Sequence, residues 1–394
     1  MRGREQKVRA QGISVSSDPG LWSSAKIQES GVVWLGLLVR REGKSIMRNF
    51  RGAAWFAAAV CVVAMSGTAR GQSAPAGPFH VVQEWKIGGD GGWDYMAVDP
   101  QSKLLYVTRG NHVIVVDTSA GKQVADITGL HGTHGVVFSS DGAHGYITDG
   151  GANQVAEFNR QTNMIEKTIA AGTGPDGAVF EPVTKTVWAF NGRSHDATVI
   201  DTASNAVVAT VALPGKPEFP VADGNGFVYD NIEDKSEIVS IDARTHTVTA
   251  TWPTAPCESP SGLAIDRVHH RLFAVCDGGK MAVMDAESGK VIATPAIGDG
   301  PDAARFSAGD QFAFSSNGGS GTLTVVHEDD PDHYTVVEDL PTKRGARTMA
   351  MDPDGSHLYL VTAEFGPRPA ATPDNPRPRP TIVPGSFEVI VVGK

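Results

Sequence analysis

The chain has 394 residues, 41% of them hydrophobic, and a formal net charge of −10. Residues 1–71 hold 11 Lys or Arg against 4 Asp or Glu, so the remaining chain carries −17. A chain this acidic argues against a partner with a phosphate backbone, and we do not expect it to bind nucleic acid. The sequence contains no H-E-x-x-H, G-x-S-x-G, P-loop or C-x-x-C-H motif, which argues against zincin, α/β-hydrolase and c-type cytochrome chemistry.

The N-terminal part has the pattern of an export signal preceded by an extension. Residues 1–46 show no repeat or domain pattern, and we interpret them as a mis-assigned gene start or a disordered extension. Two arginines soon after Met47 precede the apolar run Ala53–Met65, and a small-x-small sequence follows. This order predicts a cleavable signal peptide over 47–71 and a linker over 72–78. We therefore expect a periplasmic or secreted protein with no membrane span in the mature chain.

The stretch Met96–Ile127 contains four short apolar or mixed runs that are separated by turn residues. The runs are Met96–Asp99, Leu104–Thr108, His112–Asp117 and Gln123–Ile127. Short β-branched and aromatic runs between Gly, Pro, Asn and Asp are typical of strands joined by tight turns. The inner runs are almost wholly apolar and the last is mixed, which fits a sheet that is buried at one edge and wet at the other.

Versions of this unit recur to the end of the chain at intervals of roughly 42 residues, a period typical of four-stranded propeller blades. Further copies begin at Val136, Ala178, Val221, Leu263, Ala304 and Met349. Seven copies predict an all-β fold, a seven-bladed β-propeller over residues 79–394. Helical or single-strand solenoids of similar period are the alternative, but their repeats do not contain four strands.

The two ends of the repeat region complement each other. The last copy stops after its third strand, Phe387–Val392, and lacks a fourth. An unassigned strand, Phe79–Ile87, precedes the first copy. An open sheet edge can pair with another chain and cause aggregation. We therefore expect this N-terminal strand to complete the seventh blade and close the ring.

The motifs YVTR at 106–109 and YITD at 146–149 resemble those of a known family, as does the pattern V-x-V-x-D-x-x-x-G-K-x-V that begins at Val113. They resemble the YVTN-repeat propellers, the YncE-like family of bacterial exported proteins, and the resemblance extends over residues 79–394. It implies an exported propeller. It implies no single activity, because related propellers serve as enzymes, cofactor domains and binding proteins.

Two cysteines, Cys257 and Cys276, remain after the predicted cleavage. They precede the first strand and end the second strand of blade five, and antiparallel pairing brings those positions to the same side. An oxidising compartment favours a disulfide between them. Two unpaired thiols, with Cys276 in the core, are the alternative.

Residues 366–385 interrupt blade seven with a proline-rich sequence that carries Arg368, Arg377 and Arg379. The sequence cannot form a strand or a helix, and it falls between the second and third strands. We expect this loop to lie beside or over the mouth of the central channel and to bring positive charge there. A disordered insertion is the alternative.

One position in each repeat, two residues before the innermost strand, is expected to converge on the mouth of the channel. Around the ring it is occupied by Asp94, His134, Asp176, Phe219, Ser261, Asp302 and Arg347. In the functional interpretation, Asp94, His134 and Asp176 bind a divalent metal, or the ring grips a small polar ligand with Arg347 on its anionic part. In the structural interpretation, Arg347 neutralises the acidic side chains beside it. The sequence leaves the cofactor unknown, with a divalent metal as the candidate.

The first functional hypothesis is an exported, monomeric binding propeller that recognises a small molecule or an envelope protein at the channel mouth. The alternative is an enzyme with its site at the same mouth, either a metal-assisted, lactonase-like hydrolase or a cofactor-bound oxidoreductase. On the opposite face, His269 and His270 lie in a predicted turn, where we expect them to be exposed.

Overall fold

The computed structural model describes residues 77–372, 378 and 380–394. The predicted N-terminal extension and signal peptide lie outside these residues, as do Arg377 and Arg379. Within the described part of the chain, no helix is long and apolar enough to span a bilayer.

The described chain consists of short antiparallel strands that form seven four-stranded sheets. After β1 (His80–Lys86), blade one holds β2 (Met96–Val98), β3 (Leu104–Thr108), β4 (Val113–Asp117) and β5 (Lys122–Ile127). Blade two holds β6 (Thr133–Phe138), β7 (His144–Asp149), β8 (Gln154–Asn159) and β9 (Met164–Ala170). Blade three holds β10 (Pro175–Glu181), β11 (Thr186–Asn191), β12 (Asp196–Asp201) and β13 (Ala206–Ala212).

The remaining blades repeat this order. Blade four holds β14 (Pro217–Ala222), β15 (Phe227–Ile232), β16 (Glu237–Asp242) and β17 (Thr247–Pro253), with a 3-10 turn over Glu233–Lys235. Blade five holds β18 (Glu258–Asp266), β19 (Arg271–Asp277), β20 (Lys280–Asp285) and β21 (Val291–Ala293). Blade six holds β22 (Pro301–Ser307), β23 (Phe312–Asn317), β24 (Thr322–Asp330) and β25 (His333–Pro341). Blade seven holds β26 (Met349–Met351), β27 (His357–Thr362) and β28 (Glu388–Gly393). The predicted seven-bladed propeller is confirmed.

The N-terminal strand closes the ring as predicted. β1 pairs antiparallel with β28, so that Trp85 lies opposite Val389 and Lys86 opposite Glu388. The sheet order β1-β28-β27-β26 makes β1 the outermost strand of blade seven. The blade thus joins the two ends of the propeller, and all residues of β28 are buried beneath β1.

The core lies between neighbouring blades. One apolar cluster combines Leu105 and Val107 of blade one with Tyr359 and Val361 of blade seven. Outer strands such as β13 are mostly exposed, whereas the second and third strands of each blade are largely buried. The polarity gradient in the sequence therefore follows distance from the channel axis.

Two irregular features lie where the repeat predicts them. Cys257 and Cys276 are fully buried and form a disulfide, with Cα atoms 5.6 Å apart. The proline-rich segment lies between β27 and β28, and an isolated bridge from Phe365 to Ile382 joins its two ends.

Candidate functional site

The first strand of each blade begins at one end of the channel, which we call the funnel face. There the structure brings together Asp94, His134 and Asp176 of blades one to three. His134 Nδ1 forms a 2.7 Å hydrogen bond with Asp94 Oδ2 and lies 3.5 Å from Asp176 Oδ1. One donor atom from each of the three side chains lies within 4.8 Å of the others. This is a donor set that a divalent transition metal accepts.

Arg347 continues the ring on the other side of Asp94. Its guanidinium pairs with Asp302, lies 3.5 Å from Asp94 Oδ1 and donates to the carbonyl of Trp93 at 3.3 Å. Of the seven predicted ring residues, the five with titratable side chains therefore form one continuous series of contacts at the funnel face. Both interpretations of the ring are compatible with these contacts, since Arg347 neutralises two carboxylates while His134 and Asp176 face each other.

Glu218 is a member of the ring that the sequence analysis missed. It occupies the blade-four position that was assigned to Phe219, whose ring instead packs 4.8 Å from the ring of Tyr95. Glu218 Oε1 accepts a hydrogen bond from the Tyr95 hydroxyl at 3.3 Å, and Glu218 Oε2 pairs with Lys216 at 3.0 Å. A Cβ added to Gly177 would lie 2.3 Å from the Glu218 carbonyl, so glycine there lets blades three and four approach closely.

Crowding and burial shift the acidic groups of the funnel toward their neutral forms. Burial raises the pKa of Asp176 to about 7, although the charge of His134 opposes the shift. Burial likewise raises the pKa of Asp302 to about 6 against the opposing charge of Arg347. The pKa of Glu218 is raised by burial, and Lys216 lowers it in part. The cluster therefore favours bound protons or a bound cation at neutral pH.

Asp230 lies behind Glu218 and is the most deeply buried carboxyl group of the cluster. Burial and the nearby Glu218 and Asp176 raise its pKa well above the ordinary value. The Glu218 backbone amide lies near this carboxyl and opposes the shift, but neither Asp230 oxygen has a partner in hydrogen-bond geometry. Asp230 is therefore a buried acid held in its neutral form.

His134 responds in the opposite direction. Burial lowers its pKa, but the hydrogen bond to Asp94 and the charge of Asp176 raise it, and the net pKa is above the ordinary value. Because His134 Nδ1 lies 3.5 Å from Asp176 Oδ1, a proton at this contact belongs to the pair rather than to either side chain.

A cavity of about 860 Å³ opens beside this ring, under the proline-rich segment. Three arginines, Arg344, Arg347 and Arg368, line it together with the aromatic rings of Trp93 and Phe365. The Trp93 indole N–H is buried and has no acceptor among the described residues. The proline-rich segment thus contributes one arginine, Arg368, to a cationic wall that Arg344 and Arg347 complete on the funnel face.

A second cavity of about 460 Å³ occupies the channel on the other side of Tyr95. The rings of Tyr95 and Phe219 line it, as does Arg305, whose guanidinium lies 5.2 Å from the Phe219 ring centroid. Burial lowers the pKa of Arg305 to about 10. Tyr95 therefore separates an acidic funnel, which its hydroxyl faces, from a more apolar channel.

Comparison with known proteins identifies the fold and leaves the family open. No protein-family model matches the chain, and no curated protein matches it. Solved structures do resemble it: the WD40 repeats of RRP9 at 11% identity and TM-score 0.65, covering 80% of this chain and 99% of that one. A chain of the mitotic checkpoint complex matches at 14% identity and TM-score 0.64, covering 88% and 99%. Hydrazine synthase of Kuenenia stuttgartiensis matches at 15% identity and TM-score 0.62, covering 68% and 92%. These likenesses concern the propeller fold.

Proposed function

We propose that this protein is a binding propeller that takes up a small organic anion in the funnel-face cavity. The observation that carries the proposal is the cavity wall, where three guanidinium groups and two aromatic rings surround about 860 Å³. A concave site with convergent polar groups is a better binding site for a small molecule than for the flat surface of a protein partner. The envelope protein considered from the sequence is the competing partner.

The cationic wall has unused binding capacity. Arg344 and Arg368 are exposed, and within the described residues only Arg347 of the three has ion pairs. Guanidinium groups bind carboxylates and phosphates through paired, charge-assisted hydrogen bonds. The aromatic ring of Trp93 adds an apolar contact surface to the same cavity.

Calorimetric titration of the purified protein with benzoate, succinate and inorganic phosphate tests this proposal. We expect saturable binding at one site per chain, strongest for benzoate because aromatic side chains line the cavity. Arg344→Gln combined with Arg368→Gln should weaken binding by about tenfold or more, since a charge-assisted hydrogen bond contributes about 1.5–3 kcal/mol.

Arg244→Gln is the matched control, because Arg244 is an exposed arginine in the turn between β16 and β17, on the face opposite the funnel. It should bind the same anions as the unaltered protein. Equal affinity in the double variant, or no saturable binding of any probe, would contradict the proposal and favour a protein partner.

Metal-assisted hydrolysis is the second candidate, and the donor set of Asp94, His134 and Asp176 is the observation that favours it. A metal held there would polarise a carbonyl group of a lactone. Asp176 would then be a ligand, and the metal's charge would lower the pKa of this carboxyl from the value raised by burial.

Metal content after purification without chelator separates this candidate from simple binding. We expect His134→Ala to lose one metal equivalent and any lactone hydrolysis. Ser261→Ala, which changes the same ring position in blade five, should keep both. If His134→Ala retains its full metal content and rate, the hydrolase assignment is wrong.

We also propose that the protein is exported and belongs with the YVTN-repeat propellers. The signal-like segment over 47–71, the YVTR and YITD motifs and the buried Cys257–Cys276 disulfide support this. Expression in a Gram-negative host and N-terminal sequencing of the periplasmic fraction test it, with a mature chain beginning at Gln72 as the expected result. A full-length cytoplasmic chain would contradict it.

A further inference from the structure

A second cluster of metal-binding side chains lies on the face opposite the funnel, between blades five and six. Asp266 ends β18, His269 lies in the turn that follows, and Glu328 lies in β24. His269 Nδ1 is 2.7 Å from Asp266 Oδ2 and 3.2 Å from Glu328 Oε1. One donor atom from each side chain lies within 4.8 Å of the others. The sequence-based expectation that His269 is exposed is wrong, since its side chain is only 31% exposed.

Glu328 is fully buried, and the side chains around it do not balance the negative charge of its carboxylate. Its relative exposure is 0%, and its Oε2 atom has no hydrogen-bond partner. The Tyr334 hydroxyl donates to the Pro331 carbonyl at 2.8 Å and lies at a longer 3.4 Å from Glu328 Oε1. The nearby Arg271 pairs with Asp285 and Asp332 instead. Asp266 is itself 2% exposed, and its oxygens accept hydrogen bonds from the backbone amides of Val268 and His269 at 2.9 and 3.1 Å, whereas Glu328 Oε2 has no such partner.

The interface of blades one and two shows how a base can compensate a buried acid at this position. Arg160 and Glu328 occupy equivalent positions in blades two and six. Arg160 comes directly after the residue that pairs with the first residue of β7, and Glu328 comes directly after the residue that pairs with the first residue of β23. Arg160 forms a buried ion pair with Asp99, the equivalent of Asp266. At the interface of blades five and six, an acid stands where the interface of blades one and two has a base. The carboxylates of Asp266 and Glu328 therefore lack the arginine that balances Asp99 at the equivalent interface.

The position of His269 is compatible with a centre shared by both carboxylates. Its Nδ1 atom lies close to both carboxylates but meets hydrogen-bond geometry with neither. In contrast, His134 in the funnel forms a geometrically good hydrogen bond with Asp94. In a tetrahedral zinc site, ligands at about 2.0–2.1 Å from the metal lie about 3.3 Å apart. The 3.2 Å contact already fits this spacing, and the 2.7 Å contact needs a small opening.

We propose that Asp266, His269 and Glu328 bind a divalent transition metal of the zinc class, which joins blades five and six on the face opposite the funnel. One imidazole nitrogen with two carboxylate oxygens favours zinc over calcium or magnesium, which prefer oxygen ligands alone. The site is separate from the funnel and holds independently of any ligand bound there.

Zinc titration of the full chain in a His134→Ala background tests the proposal, because that change removes the funnel imidazole. We expect one zinc per chain and a zinc-dependent rise in Tm. Adding Glu328→Arg should abolish both effects, or weaken zinc binding at least about 100-fold. This substitution recreates the Asp99–Arg160 pair at the equivalent interface, so the protein should remain folded.

Glu328→Gln serves as the second variant, since it keeps the shape of the side chain and removes its charge. It should also lose zinc binding, and His269→Ala should lose it as well. If Glu328→Arg or Glu328→Gln binds zinc as tightly as the His134→Ala background, the proposal is overturned. If the background binds no zinc at all, the trio is instead a protonated histidine between two carboxylates, and the proposal is equally overturned.

Discussion

Asp176 shows how burial at the funnel couples protonation to stability. Its pKa is about 7 in the folded protein, against 3.8 for an unperturbed aspartate. Below pH of about 4 both the folded and the unfolded states are protonated. Between about 4 and 7 the folded state keeps a proton that the unfolded state has lost, so the free energy of unfolding falls as the pH rises through this window.

Asp176→Asn is therefore expected to stabilise the protein at pH 8 and to change little at pH 4. The gain at pH 8 should be about 1–3 kcal/mol, because the side chain is partly solvated and the full shift overstates the cost of its charge. Urea unfolding at both pH values, with chelator present so that bound metal does not contribute, measures it. Asp277→Asn, an exposed residue of β19, is the control and should change stability at neither pH. A loss of stability at pH 8 would contradict the assignment.

The residues at the channel mouth were predictable because the repeat fixes their positions. Glu218 is the exception, and the reason is physical. Counting back from the apolar run of blade four gives Phe219, because Pro220 stands where blade three has Ala178 and conceals the first position of the run. A better signal is a proline followed by an acid at the start of the first strand, as in Pro175-Asp176, Pro217-Glu218 and Pro301-Asp302.

Asp230 could not be predicted in this way. It lies inside the apolar strand β15. Its sequence context resembles that of the acidic residues with which other second strands end. Only the assembled ring shows that it is buried beside Glu218. Glu328 could not be predicted either, because it comes close to Asp266 only when blades five and six pack together.

At the level of single elements, β1 makes the contacts that the fourth strand of a blade makes in the rest of the propeller. Trp85 in β1 packs on Tyr359 of blade seven, with ring centroids 5.6 Å apart. A Cβ added to Gly121 of blade one would lie 2.5 Å from the Trp85 ring. Trp252 in the fourth strand of blade four stands in the same way over Gly289 of blade five. These contacts explain why a strand so far from blade seven in sequence completes it.

Trp85→Ala is expected to lower the free energy of unfolding by about 3–5 kcal/mol, because a large buried ring is lost and the cavity lies at the closing seam. Urea denaturation followed by circular dichroism measures the change. Val82→Ala, on the same strand and 37% exposed, should cost less than about 1 kcal/mol. Equal effects of the two substitutions would mean that β1 does not anchor the ring through Trp85.

The disulfide is an element whose presence the sequence left open. Cys257 and Cys276 are separated by 19 residues. Loop-closure entropy over that length predicts a stabilisation of about 3 kcal/mol. Replacing both cysteines with alanine should lower the free energy of unfolding by about 2–4 kcal/mol. The chain from Gln72 onward, which lacks Cys61, should show no thiol that reacts with iodoacetamide after denaturation without reductant. Two reactive thiols would show that the bond does not form.

On the scale of the whole molecule, seven similar sheets form a ring whose closure depends on one strand. The length of the repeat, the number of copies and the missing fourth strand predicted this closure, since an unpaired β28 would leave an exposed sheet edge. The charges at the two ends of the channel were not predictable as a set. Each blade contributes one or two side chains, and their combined effect arises only when the ring is complete.

Two truncated chains test the role of closure. A chain that begins at Gly77 keeps β1 and should be monomeric, with a single cooperative unfolding transition. A chain that begins at Gly88 lacks β1 and exposes β28, in which every residue is otherwise buried. We expect the shorter chain to have a Tm at least about 10 °C lower, because losing the strand removes Trp85 and its partners at several kcal/mol. It should also elute as oligomers in size-exclusion chromatography, since the free edge of β28 can pair with another chain. A shorter chain that is monomeric and has an unchanged Tm would show that six complete blades and an open seventh suffice, and that the ring is held by contacts between blades alone.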